Sequence, residues 1–373
     1  MNNDALNSFY LYFSSVKSAQ TREALAHYQC PSEAWRALSQ RDRSLAYALK
    51  SKHTLINRGL EWLEQSGNHL IAWHQEHYPQ LLRHVESPPA FLFVRGKIDL
   101  LWHPQLAIVG SRQPSASGAE CAQHFAQCLS SKGFTITSGL ARGIDTAAHY
   151  GALNCGQTIA ALATGPDMVF PRCNQELYEQ IAESGALITE HAPGIPALRS
   201  HFPARNRIIA GLSQGTLVVE AAIRSGALIT ARLAAELSKE VMAIPGSIHN
   251  PMAYGCHQLI REGAFLVEQP EEVAHILSCS SGNNGFQPII SAQKTPIIKT
   301  AEFKIEQLNR QQRQIWQALG HDSVGIDTIC MRTALTAADI SSILVGMELS
   351  GWVENHYGRY HRCSTAASSA RGQ

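Results

Sequence analysis

The sequence predicts an α/β protein built on a doubly wound parallel sheet, and three observations support this fold class. Short apolar strand patterns alternate with helical patterns through residues 106–277. These strand patterns lack polar alternation, which is typical of strands buried on both faces of a parallel sheet. About six strand–helix repeats follow one another, which predicts a Rossmann-like sheet with its ligand crevice at the carboxyl ends of the strands.

The predicted elements alternate along the whole of this region. Strands are predicted at Leu106–Val109, Phe134–Thr137, Thr158–Ala163, Ala186–Thr189, Leu217–Val219, Val241–Ile244 and Phe265–Val267. Helices are predicted between them at Ala119–Ser131, Thr146–Asn154, Gln175–Ser184 and Leu228–Leu237. Because parallel strands all end at the same edge of a sheet, we expect the loops after these strands to meet there.

Two segments precede the sheet. Residues 1–70 contain several short helical patterns, and Gly67 is a typical helix terminator. This pattern predicts an N-terminal helical domain. Residues 71–105 predict a connector that packs on the sheet domain. In it, Pro88-Pro89 disfavours a helix and the stretch FLFVRG favours a short strand.

Two further segments follow the sheet. Residues 278–300 are rich in Ser, Gly, Asn and Pro, a composition typical of a linker. Residues 301–365 predict a small winged-helix-like domain. Its three helical patterns precede a β-hairpin with an Asn-His-Tyr-Gly tip, and they lie at Phe303–Leu319, Gly325–Arg332 and Ala337–Ser350.

The charge distribution restricts how the chain could bind a polyanion. The net charge is +1, and residues 106–293 carry 11 basic against 14 acidic side chains. No segment has the strong basic excess that coats nucleic acid nonspecifically. Binding to a polyanion would therefore need a focused pocket.

Composition also indicates the cellular setting. The apolar runs are far shorter than the roughly 18 residues that a membrane span needs, and the start of the chain lacks signal-peptide features. The nine cysteines are odd in number, and no two are three residues apart. This spacing disfavours a zinc ribbon and a disulfide framework, so we expect a cytoplasmic protein without membrane contact, metal or cofactor.

Arginines and glycines follow several predicted strands. An Arg side chain offers a planar fork that binds phosphate, and a glycine lets the backbone come close to a ligand. For Arg112, a surface Arg in an ordinary strand–helix turn remains the alternative. On this basis the candidate anion-binding residues are Ser111, Arg112, Gly139, Arg142, Arg172, Arg205, Asn206 and Arg207.

Catalytic motifs are harder to find. The chain has no P-loop, no G-x-S-x-G elbow, no H-E-x-x-H and no G-x-G-x-x-G after the first strand. The carboxylates of Asp145, Glu190 and Glu220 have no evident paired partner. Four histidines of this region could act as acids or bases, but their spacing singles out none: His149, His191, His201 and His257.

A run of motifs resembles one known family. GSR, SGLARGIDTAAH, FPRCN, HFPARNRIIAGLSQG, EAAIRSGALITA, AIPG and GCHQLIREGA occur in this order between about residues 108 and 268. Their order and spacing are similar to those of the DNA-processing protein A family (DprA, also called Smf). The helical N-terminal domain, SAM-like or helix-hairpin-helix-like, and the C-terminal domain resemble the flanking domains of that family less specifically.

The resemblance implies a function and a set of roles. It implies a non-enzymatic homodimer that binds and protects single-stranded DNA and loads the RecA recombinase onto it during natural transformation and recombination. The phosphate-binding arginine of the family matches Arg112, and its basic residue after an aromatic-Pro pair matches Arg172. Phe170 stands where many members carry Tyr, and it is either a platform for stacking bases or a core residue. Cys173 replaces a second basic residue or Ala, so the charge there depends on Arg172 alone.

Two other classes of function are alternatives to single-stranded DNA binding. The stretch GLSQGTLVVE is similar to the phosphate-binding motif of nucleotide-hydrolysing phosphoribohydrolases, in which case Glu220 and Arg205 would be catalytic. Leu212-Ser213-Gln214 interrupts the glycines of that motif. The third class is a regulator that binds duplex DNA through its winged helix, although no cluster of Arg lies on one predicted helix there.

Overall fold

The computed structural model describes residues 3–248, 250–280, 308–319, 323–333 and 335–362. Two compact units form, one around a nine-stranded sheet and the other around a three-stranded sheet. Most of the predicted linker, and the start of the predicted helix Phe303–Leu319, lie outside the described residues.

The first unit begins and ends with helices, and between them strands alternate with helices. Its α-helices are α1 (Asn3–Phe13), α2 (Ser18–Tyr28), α3 (Pro31–Arg41), α4 (Ser44–Ala48), α5 (His53–Leu63), α6 (Ala116–Ser131), α7 (Ile144–Leu153), α8 (Gln175–Ser184), α9 (His201–Leu212), α10 (Gly226–Glu236), α11 (Tyr254–Arg261) and α12 (Pro270–Ser280). Its strands are β1 (Asn68–Ala72), β2 (Phe91–Gly96), β3 (Gln105–Val109), β4 (Thr135–Ser138), β5 (Thr158–Ala161), β6 (Ala186–Thr189), β7 (Gly215–Val218), β8 (Glu240–Ala243) and β9 (Phe265–Leu266).

The strand order confirms the doubly wound sheet. It is β1-β2-β6-β5-β4-β3-β7-β8-β9, and every pair from β6 to β9 is parallel. The chain runs outward from β3 to β6, returns to the centre, and then runs outward in the other direction from β7. The direction reverses between β3 and β7, where open α/β sheets bind ligands.

Two further strands join this sheet: β1, which straddles the predicted domain boundary at residue 70, and β2, which lies in the segment predicted as a connector. β1 pairs with β2 and β2 pairs with β6, and both pairs are antiparallel. The sheet is therefore mixed rather than purely parallel. Leu92 and Val94 on β2 are fully buried and belong to the same apolar cluster as residues of the parallel strands.

The N-terminal helices pack on the outer part of the sheet. Phe9 of α1 lies against Phe93 of β2, with ring centroids 5.9 Å apart, and both rings are fully buried. An added Cβ at Gly59 of α5 would overlap the ring of Phe9. This contact explains why a glycine is accommodated inside α5 despite its cost of about 1 kcal/mol.

The helices α9 and α12 lie where the sequence predicts no helix. α9 covers the segment that contains the clustered arginines Arg205 and Arg207. α12 extends to Ser280, so the first residues of the predicted linker, 278–280, are helical.

The second unit has a winged-helix arrangement. It consists of α13 (Arg310–Leu319), β10 (Val324–Gly325), α14 (Ile326–Thr333), α15 (Ala337–Leu349), β11 (Val353–His356) and β12 (Arg359–Arg362). The strands form an antiparallel sheet in the order β10-β12-β11. Thr336 caps α15, since its Oγ1 accepts a hydrogen bond of 3.2 Å from the N–H of Asp339. Ile315, Leu344 and Val353 are fully buried in its core.

Within the residues that the structure describes, no single helix is long and apolar enough to cross a membrane. Helices α14 and α15 meet such a test only when taken as a pair, and they are bent by 110° relative to one another.

Candidate functional site

The loops after β3 and β7 are joined at the centre of the carboxyl edge. The N–H of Ser111 donates a hydrogen bond of 2.6 Å to the carbonyl oxygen of Glu220. The Oγ of Ser111 accepts a bond of 3.1 Å from the N–H of Gln113, and Ser111 itself is buried. Ser111 therefore shapes the loop that carries Arg112, while its own side chain lies under the surface.

A protein carboxylate lies at the N-terminus of α6. An added Cβ at Gly118, in the first turn of this helix, would lie 2.6 Å from Oε2 of Glu220. Asn250 donates a hydrogen bond of 3.2 Å to Oε1 of the same side chain. Dinucleotide-binding sheets hold phosphate at the corresponding helix N-terminus. Here the buried carboxylate of Glu220 takes that place.

Arg205 lies inside the fold and not on the crevice surface. It is only 4% exposed, and its Nη1 donates to the carbonyl oxygens of Gly139 and Ala161, the latter at 2.8 Å. Burial lowers the pKa of Arg205 to about 10, and the nearby Asp145 opposes this shift. This differs from the prediction that Arg205 contacts a ligand phosphate, because its guanidinium joins α9 to the loop after β4 and to the last residue of β5.

Gly139 has a structural role beside Arg205. A Cβ at residue 139 would overlap Nη1 of Arg205 and lie 2.6 Å from Nη2. The prediction was that this glycine lets the backbone approach a phosphate. In the structure its absent side chain makes room for the guanidinium instead.

Asp145 and His149 hold the loop after β4 through hydrogen bonds to its backbone. The carboxylate of Asp145 accepts hydrogen bonds from the N–H groups of Gly139 at 3.1 Å and Ala141 at 3.3 Å. Nε2 of His149 accepts from the N–H of Leu140 at 3.3 Å, and Nδ1 contacts Oγ1 of Thr158 at 2.7 Å. Burial lowers the pKa of His149 to about 3, so this ring is neutral. Both groups act as internal supports.

Asn174 completes the support of the loop. Its Nδ2 donates to the carbonyl oxygen of Leu140 at 3.0 Å and to Oγ1 of Thr146 at 2.9 Å. Leu140 has a positive φ of 54°, a conformation that the surrounding hydrogen bonds maintain. The loop that carries the exposed Arg142 is thus fixed at several points.

Arg207 forms an ion pair with Glu190. Its Nη2 contacts Oε2 of Glu190, and each side chain is 19% exposed. Burial raises the pKa of Glu190, and the neighbouring Arg207 opposes this shift. The predicted phosphate contact of Arg207 therefore competes with a partly buried partner in the protein.

The remaining polar candidates also make internal contacts. Asn206 donates from Nδ2 to the carbonyl oxygen of Gly226 at 3.4 Å, at the start of α10. His191 and His201 stack with ring centroids 3.8 Å apart, and burial lowers the pKa of His191 to about 4. Nε2 of His257 contacts the carbonyl oxygen of Gly246 at 3.0 Å.

An exposed cationic and aromatic surface lies above these buried groups. The guanidinium of Arg112 lies over the ring of Phe202, 5.6 Å from its centroid. The ring of Phe170 meets Phe202 edge to face at 5.5 Å and is 48% exposed. Arg172 follows two residues after Phe170 and is also exposed. We call Arg112, Phe202, Phe170 and Arg172 the crevice platform.

Arg142 extends the crevice platform at one end. Its side chain is exposed, and its Nε donates to Sγ of Cys173 at 3.3 Å, next to Arg172 in the chain. Arg112, Arg142 and Arg172 are thus the three predicted arginines whose charges face solvent. Cation–π contacts such as that of Arg112 contribute about 0.5–1 kcal/mol at exposed sites, enough to orient the side chain while leaving its donors available.

Phe202 is not among the site residues predicted from the sequence. The signal that could have identified it is an aromatic residue in the first turn of a helix that begins at the carboxyl edge. That signal was hidden because α9 was not predicted, its start being occupied by Pro203 and charged residues.

Comparison with known proteins identifies relatives of both units. Residues 69–278 match the family described as DNA recombination-mediator protein A, and residues 299–359 match the DprA winged helix domain. Protein Smf of Escherichia coli (strain K12) is 38% identical over 343 residues, which cover 90% of this chain and 87% of that protein. DNA processing protein DprA of Streptococcus pneumoniae is 47% identical over 197 residues, covering 52% of this chain and 70% of the relative.

Two solved structures are similar as well. The X-ray structure of DprA from Streptococcus pneumoniae aligns with a TM-score of 0.64 at 34% identity, covering 76% of this chain and 99% of that one. A structure of DNA processing protein A from Helicobacter pylori, described for its single-stranded DNA binding mode, aligns with a TM-score of 0.53 at 26% identity, covering 57% of this chain and 96% of that one. The chain belongs to the DprA/Smf family of DNA recombination mediators.

Proposed function

We propose that the protein is a recombination mediator that binds single-stranded DNA on the crevice platform. The observation that carries this proposal is the contact of Arg112 with the half-buried Phe202 and of Phe202 with the exposed Phe170, which the exposed Arg172 follows by two residues. Arginine forks bind backbone phosphates, and aromatic faces stack on bases of any identity. The Helicobacter pylori relative, described for its single-stranded DNA binding mode, supports the same ligand.

The aromatic part of the platform favours a single strand over a duplex. Bases in a duplex are already stacked and paired, so their faces are not free for Phe170 or Phe202. A single strand can turn its bases toward the rings while its phosphates meet the arginines. We therefore expect discrimination against duplex DNA of equal length and charge.

The proposal includes no catalytic step. The titratable groups beside the platform are held in internal hydrogen bonds, as Asp145, His149 and Glu220 illustrate. For the phosphoribohydrolase alternative, Glu220 and Arg205 would have to face a bound nucleotide. Glu220 lies against Gly118, and Arg205 is bound to two carbonyl groups, which favours a binding role over hydrolysis.

The finer role in this proposal is to protect incoming single strands and to load RecA onto them during natural transformation, with the protein acting as a homodimer. The family's description as recombination mediators supports it. A platform with only a few exposed arginines also suits a protein that must release DNA to a partner, because each phosphate contact adds affinity.

In this proposal the winged-helix unit does not bind DNA. α15 occupies the position of a recognition helix, but its only charged residues are Asp339 and Glu348. A helix without cations would be repelled by duplex phosphates. We therefore assign single-strand binding to the first unit alone.

Fluorescence anisotropy tests the proposal. A labelled oligothymidine and a duplex of equal length are titrated with the full chain, and the mass of the complex gives the number of chains bound. Preference for the single strand, with faster RecA assembly on strands that carry the protein, supports the proposal. Equal binding to duplex, or release of free base from nucleoside monophosphates, contradicts it.

A further inference from the structure

The β-hairpin of the winged-helix unit carries three metal-ligating side chains on one face. Glu354 of β11 is directly opposite His361 of β12 in the antiparallel register. His356 follows Glu354 by two residues in the same strand. Because side chains alternate between the two faces of a strand, all three project from the same face.

Two of the three distances between the ligand atoms of these residues match a tetrahedral metal site. Oε2 of Glu354 lies 3.4 Å from Nε2 of His356 and 3.5 Å from Nε2 of His361. All three atoms lie within 4.8 Å of one another. Zinc bonds of about 2.1 Å in a tetrahedron separate neighbouring ligand atoms by about 3.4 Å. The two measured distances match the edges of such a tetrahedron.

His361 supplies a second, independent observation. It is only 7% exposed, and apart from the 3.5 Å approach of Nε2 to Glu354 neither of its ring nitrogens has a hydrogen-bond partner among the described residues. Buried polar atoms are nearly always satisfied in folded proteins. A metal ion bound to Nε2 would supply the missing partner of that nitrogen.

The two imidazoles are also arranged for a shared ligand. The rings of His356 and His361 lie almost parallel, with 24° between their planes and centroids 5.1 Å apart. The Nε2 atoms of both rings lie within 3.5 Å of the same carboxylate oxygen of Glu354.

We propose that Glu354, His356 and His361 bind one zinc ion, with water at the fourth position. Two imidazoles and one carboxylate suit zinc, whereas Mg²⁺ and Ca²⁺ prefer oxygen ligands alone. The ion would join β11 to β12 immediately beside the Tyr357-Gly358 turn, and would hold the tip of the wing in one orientation. The proposal is independent of the DNA-binding role of the first unit.

Zinc titration of the full chain tests this site. The protein is first stripped of metal with a chelator and then titrated with Zn²⁺ against a chromophoric competitor. We expect a zinc site that weakens by at least about tenfold in Glu354→Gln and in His356→Asn, since even the loss of groups that merely support metal ligands costs tenfold or more. Zinc should also raise the thermal unfolding temperature of the wild-type chain more than that of either variant.

The matched control is Glu348→Gln, which makes the same chemical change at an exposed residue of α15 in the same unit. The difference between variants is the readout, because the chain has nine cysteines and 17 histidines that can bind zinc elsewhere. Co²⁺ provides a second measurement, since its visible spectrum reports tetrahedral ligands. Zinc affinity and cobalt spectra that are the same in wild type, Glu354→Gln and His356→Asn would overturn the proposal. Glu354 and His356 are both exposed, so each variant is an independent test should the other fail to fold.

Discussion

The guanidinium group of Arg205 fills the space in which a side chain at residue 139 would begin. Nη1 of Arg205 donates to the carbonyl oxygen of Gly139 itself, and Nη2 lies 2.6 Å from the position of an added Cβ. The same Nη1 donates a second hydrogen bond, of 2.8 Å, to the carbonyl oxygen of Ala161. The charged group and the glycine thus depend on each other, and both hold the floor of the crevice.

Gly139→Ala should destabilise the protein by about 2–5 kcal/mol. The added methyl group would displace the guanidinium, and the cost combines overpacking with the loss of hydrogen bonds at buried carbonyl groups. Urea unfolding followed by circular dichroism measures this change.

Gly226→Ala is the matched control for this substitution. No atom lies within 4 Å of an added Cβ at residue 226, in the first turn of α10. We expect a change below about 1 kcal/mol there. Equal stability of the two variants would show that Arg205 does not occupy the described position.

The sheet was predictable from sequence because its strands are buried on both faces. Every residue of β3 and β6 is buried, which produces the apolar runs that the sequence displays. β1 was not predicted because it begins with Asn68 and His69, and its strand conformation depends on pairing with β2. Such pairing is a tertiary property that local periodicity does not report.

The site was only partly predictable, for a related reason. Sequence shows that an arginine is present, but the fold decides whether its acceptor is a ligand or a group of the protein. Arg205 donates to the carbonyl oxygen of Ala161, and Arg207 pairs with the carboxylate of Glu190. Arg112 and Arg172 remain exposed. Motif spacing could not distinguish these cases.

Arg112→Ala and Arg172→Ala should each weaken single-strand binding by about ten- to a hundredfold. This range corresponds to about 1.5–3 kcal/mol for a charge-assisted hydrogen bond to phosphate. Arg112→Lys should restore only part of the loss, because an ammonium group keeps the charge but lacks the planar fork. Anisotropy titrations at matched salt measure the affinities.

Arg261→Ala is the control for both arginine variants. Arg261 is exposed at the end of α11 and lies outside the crevice platform. Its replacement should leave the affinity for single strands within about twofold, apart from a small long-range effect of charge. Wild-type affinity in a folded Arg112→Ala variant would remove Arg112 from the proposed site.

Phe170→Ala should cost about 1–3 kcal/mol of binding free energy if a base stacks on its ring. Phe170→Trp should retain affinity. The matched control is Phe265→Ala, since Phe265 is similarly exposed at 46% and lies on the edge strand β9. An oligonucleotide with abasic sites should bind wild type and Phe170→Ala equally. If Phe170→Ala and Phe265→Ala bind a normal strand equally well, Phe170 does not stack on bases.

His149 should make the stability of the fold depend on pH. Burial lowers its pKa to about 3, below the ordinary value of about 6.5 for an unfolded chain. The unfolded state therefore binds one more proton between these values. The stabilisation from the neutral ring is complete above about pH 6.5 and is lost at about 1.4 kcal/mol per pH unit as the pH falls toward 3.

His149→Gln removes this titration. The variant should be less stable than wild type at pH 7, and the difference in unfolding free energy should shrink as the pH falls. Urea unfolding at several pH values between 7 and 4 provides the measurement. Parallel stability curves for the two proteins would show that the ring of His149 is not held neutral in the fold.

The salt dependence of single-strand binding should be modest. Arg112, Arg142 and Arg172 are the predicted arginines that remain exposed on or beside the crevice platform. We therefore expect the protein to contact three to five phosphates, on the order of one for each of these cations plus a few for neighbouring donors. At about −0.7 per phosphate, the slope of log affinity against log salt concentration should lie between roughly −2 and −4. Arg142→Ala should reduce the magnitude of this slope by about 0.7, since it removes one contact. A slope near about −8 would require a much wider basic surface than these three side chains provide, and it would assign most of the binding to residues outside the crevice platform.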